Sequence, residues 1–212
     1  MSAQDTRLYR LGGNALIASG LFFLTRSVLD WTVGPPPQNG TDLLSWITAG
    51  AGRMAFANEA LFFAAMCLIP AVPALYHSLA SVDRNKALSG VGIIAALIPV
   101  LAMLDIVHGR LVFPVFGLQV HSPDVAEFAV ALFYGGLHAT SLLFGVATIV
   151  LSVAMMRSPF GMGMAYGGFI TAGCDFADSY SYLLGPTVAL ACQCVFAAWF
   201  VAVGAKLRNL DY

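Results

Sequence analysis

Charged side chains are scarce in this chain. Asp, Glu, Lys and Arg make up 10% of its 212 residues, whereas a soluble domain usually carries about 25%. The formal net charge is -1 and the basic residues form no block, so the chain lacks the positive patch that nucleic-acid binding requires. These shortages exclude an ordinary soluble domain and predict no nucleic-acid partner.

Cysteine is also scarce, and its four copies suggest neither a disulfide framework nor a metal site. All four lie in apolar stretches, where cysteine usually behaves as a small buried hydrophobe; they are Cys67, Cys174, Cys192 and Cys194. The sequence contains no HExxH or comparable metal motif. We therefore predict no metal and no cofactor, and a metal-dependent hydrolase ranks third among the functions considered.

Long hydrophobic runs dominate the sequence instead. Hydrophobic residues make up 59% of the chain, and the mean hydropathy is +0.81. A helix needs about 20 mostly apolar residues to cross a bilayer, and backbone groups in lipid must bond within their own segment. Six segments meet this need, namely Leu11–Val33, Met54–Leu79, Ala87–His108, Val125–Met156, Gly161–Leu184 and Pro186–Leu207. We predict an all-α, multi-pass transmembrane bundle of about six helices, a single domain over residues 1–212, in the cell membrane.

Basic residues predict the orientation of this bundle. They flank one side of the six segments, as Arg7, Arg10, Arg84, Lys86, Arg157, Lys206 and Arg208. The positive-inside rule places that side and both termini in the cytoplasm. The first segment outruns the apolar core of a signal peptide and has no small-residue cleavage site after it, so we predict an uncleaved span. Two outer connections, 34–52 and 109–124, are too apolar for solvated loops. They would lie on the membrane surface or cap polar residues.

Ionisable residues recur inside or at the edges of these apolar runs, toward the predicted outer side. A charge within a bilayer costs about 2.5–3.5 kcal/mol on insertion scales, so it is usually paired, solvated or functional. The residues are Arg26, Asp30, Arg53, Glu59, Asp105, His108, Arg110, Glu127, Asp175 and Asp178. Polar groups that converge in an apolar bundle suggest a binding site.

The first two segments each offer alternatives. Arg26 and Asp30 are four residues apart on one helical face. They form either a self-neutralising pair or a site where the arginine holds an anionic group. In the second segment Glu59 precedes an apolar run and is either a proton donor or a structural partner of Arg53 or Arg26. Asn58 is a further candidate for substrate binding.

The third segment ends in a carboxylate and an imidazole on one face. Asp105 and His108 are three residues apart. They can form an acid–base dyad in which the aspartate fixes the histidine tautomer. The alternative is an interfacial pair with Arg110.

The fourth and fifth segments carry polar stripes. Spacings of seven, four and three place one set on a single helical face, namely Glu127, Tyr134, His138 and Ser141. The fifth segment places Asp175, Asp178 and Tyr182 on one face. Two carboxylates one turn apart repel unless one is protonated or both meet cations. They are either an acid–base pair or members of an outer salt network.

Small residues in the fifth segment predict close helix packing. Gly163 and Gly167 form a GxxxG pair, and Gly168 and Ala172 repeat the spacing. Such residues let helices approach closely in lipid. The contact would serve the bundle itself or, as the alternative, a homodimer.

Several hydrophobic motifs resemble a family of bacterial six-helix membrane proteins known only as a domain of unknown function. The motifs are the segments 10–13 (RLGG), 74–76 (ALY), 137–145 (LHATSLLFG) and 198–204 (AWFVAVG). The resemblance covers most of the chain and implies a six-helix bundle without indicating an activity. The kind of site is also similar to that of integral-membrane terpene cyclases, which use intramembrane carboxylic acids.

These observations favour an integral-membrane enzyme that acts on a lipophilic small molecule by acid–base chemistry, as an isomerase, cyclase or hydrolase. The predicted catalytic residues are Glu59, Asp105, His108, Asp178 and His138. The predicted substrate-binding residues are Arg26, Asp30, Arg53, Asn58, Glu127, Tyr134, Asp175 and Tyr182. The alternative is a non-enzymatic membrane protein: a small-molecule transporter, a ligand binder or an accessory subunit of a membrane complex.

Overall fold

Six α-helices make up nearly all of the regular structure in the computed structural model, which describes residues 3–210. They are α1 (Ala3–Val33), α2 (Gly40–Val112), α3 (Pro123–Met155), α4 (Met162–Ser179), α5 (Ser181–Leu184) and α6 (Pro186–Arg208). Four of them, α1, α2, α3 and α6, are long and apolar enough to cross a membrane. The all-α prediction is confirmed.

Helix α2 folds back on itself at Asp83. A straight helix of its 73 residues would be about 110 Å long, several times the thickness of a bilayer core of about 30 Å. Asp83 instead has φ -153° and ψ 95°, and its carboxylate accepts a hydrogen bond from the Lys86 amide at 3.1 Å. Asn58 and His108 bond across the fold at 3.0 Å. The two arms, residues 40–82 and 84–112, are therefore antiparallel.

The helical segments close into a ring of antiparallel neighbours. Helix α1 packs on the first arm of α2, where Ser19 Oγ donates to the Ala64 carbonyl at 2.9 Å. The second arm packs on α3, where Leu104 lies against Gly136, and α3 packs on α4. Helix α4 packs on α6, where Trp199 Nε1 donates to the Met164 carbonyl at 3.1 Å. Helix α6 then returns to α1. This order brings the C-terminal end of α1 beside the start of α6 and the C-terminal end of α4.

The interior of the ring is apolar, and so is much of its outer surface. Four aromatic rings pack edge to face or tilted at the centre: Phe23, Phe144, Phe196 and Phe200. Large hydrophobic side chains also point outward, including Phe56, Phe128, Ile170 and Leu183. An apolar exterior of this kind is what helices in contact with lipid require.

The first outer connection is largely helical, which corrects the prediction of a loop over 34–52. Helix α2 begins at Gly40, and the Asn39 side chain caps it by accepting from the Asp42 amide at 2.9 Å. Leu43 and Ile47 are buried in a small cluster against the start of α3. The apolar patch therefore covers the end of the bundle, because its hydrophobic face finds partners there.

The small residues of α4 serve the bundle at a different position from the GxxxG pair. A Cβ added at Gly163 would meet nothing within 4 Å. One added at Gly168 would clash with the Ser152 hydroxyl and lie 3.1 Å from the Trp199 ring. Close approach to α3 and α6 thus depends on Gly168, which lies five residues beyond Gly163 and on a different face of α4.

Candidate functional site

A cavity of about 490 Å³ opens at the end of the ring where α1 ends and α3 and α6 begin. Segments from α1, α3, the α4–α5 junction and α6 surround it. Its polar side chains include Arg26, Asp30, Tyr134, His138, Ser141, Asp178 and Gln193. Trp31, Tyr182 and the prolines 35 and 36 add apolar lining. The cavity thus combines titratable groups with an apolar wall.

Arg26 is already paired within its own helix. Its Nη2 lies 2.8 Å from Asp30 Oδ2, one turn further along α1. The guanidinium carbon also lies 5.6 Å from the centroid of the Phe133 ring, a cation–π contact. Of the two alternatives for this pair, the geometry matches the self-neutralising one.

His138 is oriented by a backbone carbonyl. Its Nδ1 lies 2.6 Å from the carbonyl oxygen of Ser179. A carbonyl can only accept, so Nδ1 carries the hydrogen. In the neutral ring Nε2 then keeps its lone pair and can act as a base or an acceptor. The Tyr180 ring packs edge to face on the imidazole with centroids 5.3 Å apart, which further restricts its rotation.

Asp178 is held by donors from two other helices. Its Oδ2 accepts from Gln193 Nε2 in α6 at 2.7 Å and from Ser141 Oγ in α3 at 3.3 Å. Hydrogen bonds to a carboxylate favour its ionised form, whereas its burial favours the neutral form. No ion pair joins it to an arginine in the described part of the chain. Asp178 is therefore not part of an outer salt network with arginines, which was one of the two alternatives for this residue.

Gln193 was missed by sequence reasoning. It is a polar residue within an apolar run, the same signal that singled out the charged residues. It lies between Cys192 and Cys194, and none of the four cysteines forms a disulfide. Its side-chain amide in α6 reaches the Asp178 carboxylate of α4, so Gln193 is part of the site.

A smaller cavity of about 30 Å³ lies next to the first. Asp175 lines it and is only 3% exposed. Its buried Oδ2 has no hydrogen-bond partner among residues 3–210. The apolar part of the lining consists of three phenylalanines and three leucines, namely Phe23, Phe144, Phe196, Leu61, Leu101 and Leu137. The two aspartates of α4 thus occupy separate cavities rather than one shared pocket.

Asn58 and His108 form a buried pair between the two arms of α2. Their contact joins His108 Nδ1 to Asn58 Oδ1 at 3.0 Å, and the His108 ring stacks on Phe133 with centroids 4.3 Å apart. The prediction that Asp105 fixes the tautomer of His108 is therefore wrong, because the partner of His108 Nδ1 is Asn58. The side chain of His108 turns inward to the other arm, whereas Asp105 is only half-buried.

Replacing Asn58 by Leu is expected to destabilise the fold by about 1–3 kcal/mol, because the buried His108 N–H would lose its acceptor. Thermal unfolding in detergent measures this change. Glu59→Gln is the matched control, since its side chain is next in sequence but exposed. Equal melting temperatures for Asn58→Leu and wild type would contradict a structural role for the pair.

Several other predicted site residues lie outside both cavities. Glu59 is exposed and forms no ion pair within residues 3–210, and Arg53 donates from Nη1 to the Thr32 carbonyl at 2.7 Å. Asp105 has a buried Oδ1 without a partner among the same residues. Glu127 is exposed near the start of α3. The expectation that Glu59 pairs with Arg53 or Arg26 is wrong.

The polar stripe of α3 divides at the cavity mouth. Tyr134, His138 and Ser141 line the cavity, whereas Glu127 lies further toward the helix start and does not. Tyr182 lines the mouth and is 72% exposed. Among residues 3–210, no three His, Cys, Asp or Glu side chains are grouped so that they could hold a metal ion.

No protein-family model, curated protein or solved structure matches this chain. The resemblance to the six-helix family of unknown function stays a prediction. The geometry of the two cavities is therefore the basis for any functional argument.

Proposed function

We propose that this protein is an integral-membrane enzyme that moves a proton on a lipophilic small molecule. The proposal includes six membrane crossings and cytoplasmic termini. One observation carries it: His138, with its Nε2 unprotonated in the neutral ring, and Asp178 line the same cavity. A base and a carboxylate around one apolar volume are the groups that proton abstraction and return require.

The size of the cavity supports a small-molecule ligand. Its volume of about 490 Å³ lies within the range of about 300–1,000 Å³ that is typical of ligand sites. The surrounding helices are long and apolar, so a lipophilic molecule would reach it from the bilayer or from the open end. Trp31 and Tyr182, which line the cavity, would contact the apolar part of the ligand.

Charge in the lining supports a substrate with a neutral or cationic polar group. Arg26 is neutralised by Asp30 at 2.8 Å, which leaves the ionised form of Asp178 as the unbalanced charge. An anionic group of the substrate would be repelled by Asp178, whereas the positive charge that develops on His138 would be stabilised by it. Arg26 and Asp30 together offer donors and acceptors to a hydroxyl, carbonyl or amine.

The proposed reaction is isomerisation by proton transfer. His138 Nε2 accepts a proton from one carbon of the substrate, the electron pair moves along the adjacent double bond, and the imidazolium returns the proton to a second carbon. No oxidant or reductant is consumed. Asp178 stabilises the imidazolium that forms on His138, and the adjacent double bond of the substrate spreads the negative charge that proton removal leaves on it. Cyclisation and hydrolysis would use the same base with a different proton donor.

Mass spectrometry of lipophilic molecules that co-purify with the protein tests this proposal. Wild-type protein is expected to retain a ligand and, in D₂O without any ion gradient, to incorporate deuterium at carbon. Asp178→Asn is expected to lose most of the labelling. Asp124→Asn, a change at an exposed residue at the start of α3, is the matched control and is expected to label like wild type.

Each other outcome has a definite meaning. A ligand that binds in wild type but never takes up deuterium at carbon would overturn the enzyme and favour a ligand binder or transporter. Proton uptake coupled to solute flux in vesicles would favour the transporter. Labelling that is unchanged in Asp178→Asn would remove Asp178 from the mechanism.

A further inference from the structure

The inner cavity adjoins the outer one. Four residues line both: Arg26, Leu137, Ser141 and Gln193. Ser141 and Gln193 are also the two donors to Asp178 Oδ2. Two of the three polar residues between the cavities are therefore already hydrogen-bonded to Asp178, and the third, Arg26, pairs with Asp30.

Asp175 lines the inner cavity, and one of its carboxyl oxygens lacks a hydrogen-bond partner among residues 3–210. Its side chain is 3% exposed, and its Oδ2 is buried without a hydrogen bond within residues 3–210. A buried polar atom without a partner costs about 1–3 kcal/mol. Native proteins usually satisfy such atoms, often with an ordered water molecule.

The inner cavity is large enough for water. Its volume of about 30 Å³ exceeds the roughly 10–15 Å³ of probe-occupied volume that one water needs. Water also needs two to four polar partners, and Asp175, Ser141 and Gln193 supply them. A metal cation fits less well, because the Arg26 guanidinium lines the same cavity and would repel it.

We propose that a bound water molecule in this cavity links Asp175 to Asp178 through Ser141. The water donates one hydrogen to Asp175 Oδ2 and the other to Ser141 Oγ. Ser141 Oγ in turn donates to Asp178 Oδ2, at 3.3 Å. The second amide hydrogen of Gln193 can donate to the water oxygen. The chain connects the buried carboxyl group of Asp175 in the inner cavity to the carboxylate of Asp178 in the outer cavity.

Such a chain can move a proton between the two carboxyl groups. When Asp175 is protonated, it gives its proton to the water, the water gives one to Ser141 Oγ, and the Ser141 hydroxyl gives its own to Asp178 Oδ2. One O–H bond breaks and one forms at each oxygen between the ends, so only Asp175 and Asp178 change their protonation. A role for this proton in catalysis rests on the proposed function, whereas the existence of the water site does not.

Infrared spectroscopy with ¹⁸O-labelled water tests the site. The O–H stretch of a trapped water shifts when H₂¹⁶O is replaced by H₂¹⁸O, whereas serine hydroxyl and carboxyl bands do not shift. Wild-type protein from which bulk water has been removed is expected to show an ¹⁸O-sensitive O–H stretching band at the frequency of a strongly hydrogen-bonded water. Asp175→Leu is expected to lose it, because the leucine removes the acceptor and fills the volume.

Matched variants keep the test decisive. Asp105→Leu removes the other aspartate with an unpartnered buried oxygen but lies outside the inner cavity, so the band is expected to stay. Ser141→Ala is expected to shift the band to the higher frequency of a more weakly hydrogen-bonded water. This variant replaces Asp175→Leu in the test if Asp175→Leu fails to fold. Absence of the band in wild type, or its persistence unchanged in Asp175→Leu or Ser141→Ala, would overturn the proposal. The measurement needs no substrate, so it is independent of whether the protein is an enzyme.

Discussion

His138→Asn is expected to lower deuterium incorporation into the bound ligand by about 10²–10⁴-fold, the usual contribution of a general base. An asparagine amide nitrogen can take the position of Nδ1 and donate to the Ser179 carbonyl, which accepts from His138 at 2.6 Å. The variant therefore preserves the contact between α3 and the end of α4. What it removes is Nε2, the atom that would accept the substrate proton.

Two further variants separate base chemistry from folding. His121→Asn changes an exposed histidine that does not line the cavity, and it is expected to label like wild type. His138→Phe removes both ring nitrogens, so it is expected to lose the labelling and also to melt at a lower temperature. Undiminished labelling in His138→Asn, with folding intact, would exclude His138 as the base.

Gly204→Ala is expected to destabilise the bundle by about 1–3 kcal/mol, a typical cost of overpacking. A Cβ at this position would lie 2.6 Å from the Gly13 carbonyl oxygen and 3.0 Å from the Ile17 amide nitrogen. Both atoms belong to the backbone of α1, which cannot rotate away as a side chain can. The contact closes the ring between α1 and α6, so the two helices would have to separate.

Thermal unfolding in detergent measures this effect, as a fall of about 2–4 °C for each kcal/mol. Gly163→Ala in α4 is the control, since a Cβ there meets nothing within 4 Å. It is expected to leave the melting temperature unchanged or slightly higher, because alanine favours a helix. Equal falls in both variants would show that the loss of glycine, rather than the α1–α6 contact, causes the effect.

Some of the candidate site could be predicted from sequence because spacing along one helix determines which residues share a face. Arg26 and Asp30, four residues apart, form an ion pair. Tyr134, His138 and Ser141 line one cavity, as their spacings of four and three predicted. In both cases a single helix supplies all the members, so no knowledge of its neighbours was needed.

The contacts between helices could not be predicted in this way. The spacing of Asp105 and His108 suggested a dyad, but His108 bonds to Asn58 on the opposite arm of α2. Asp178 receives its hydrogen bonds from Ser141 in α3 and Gln193 in α6. Such partners depend on the register and rotation of each helix relative to the next. The spacing of residues along a single helix reveals neither the register nor the rotation.

The sequence by itself determined the all-helical class of this protein and where its apolar segments lie, because a chain in lipid must bond its backbone within each segment. Only the tertiary structure decided which polar residues meet. Glu59 and Glu127 face outward, while His138 and Asp178 share a cavity. The physical reason is that helix formation is local, whereas the ring closes through contacts such as Gly13 on Gly204. Those contacts set the rotation of each helix and hence which of its side chains face the cavity.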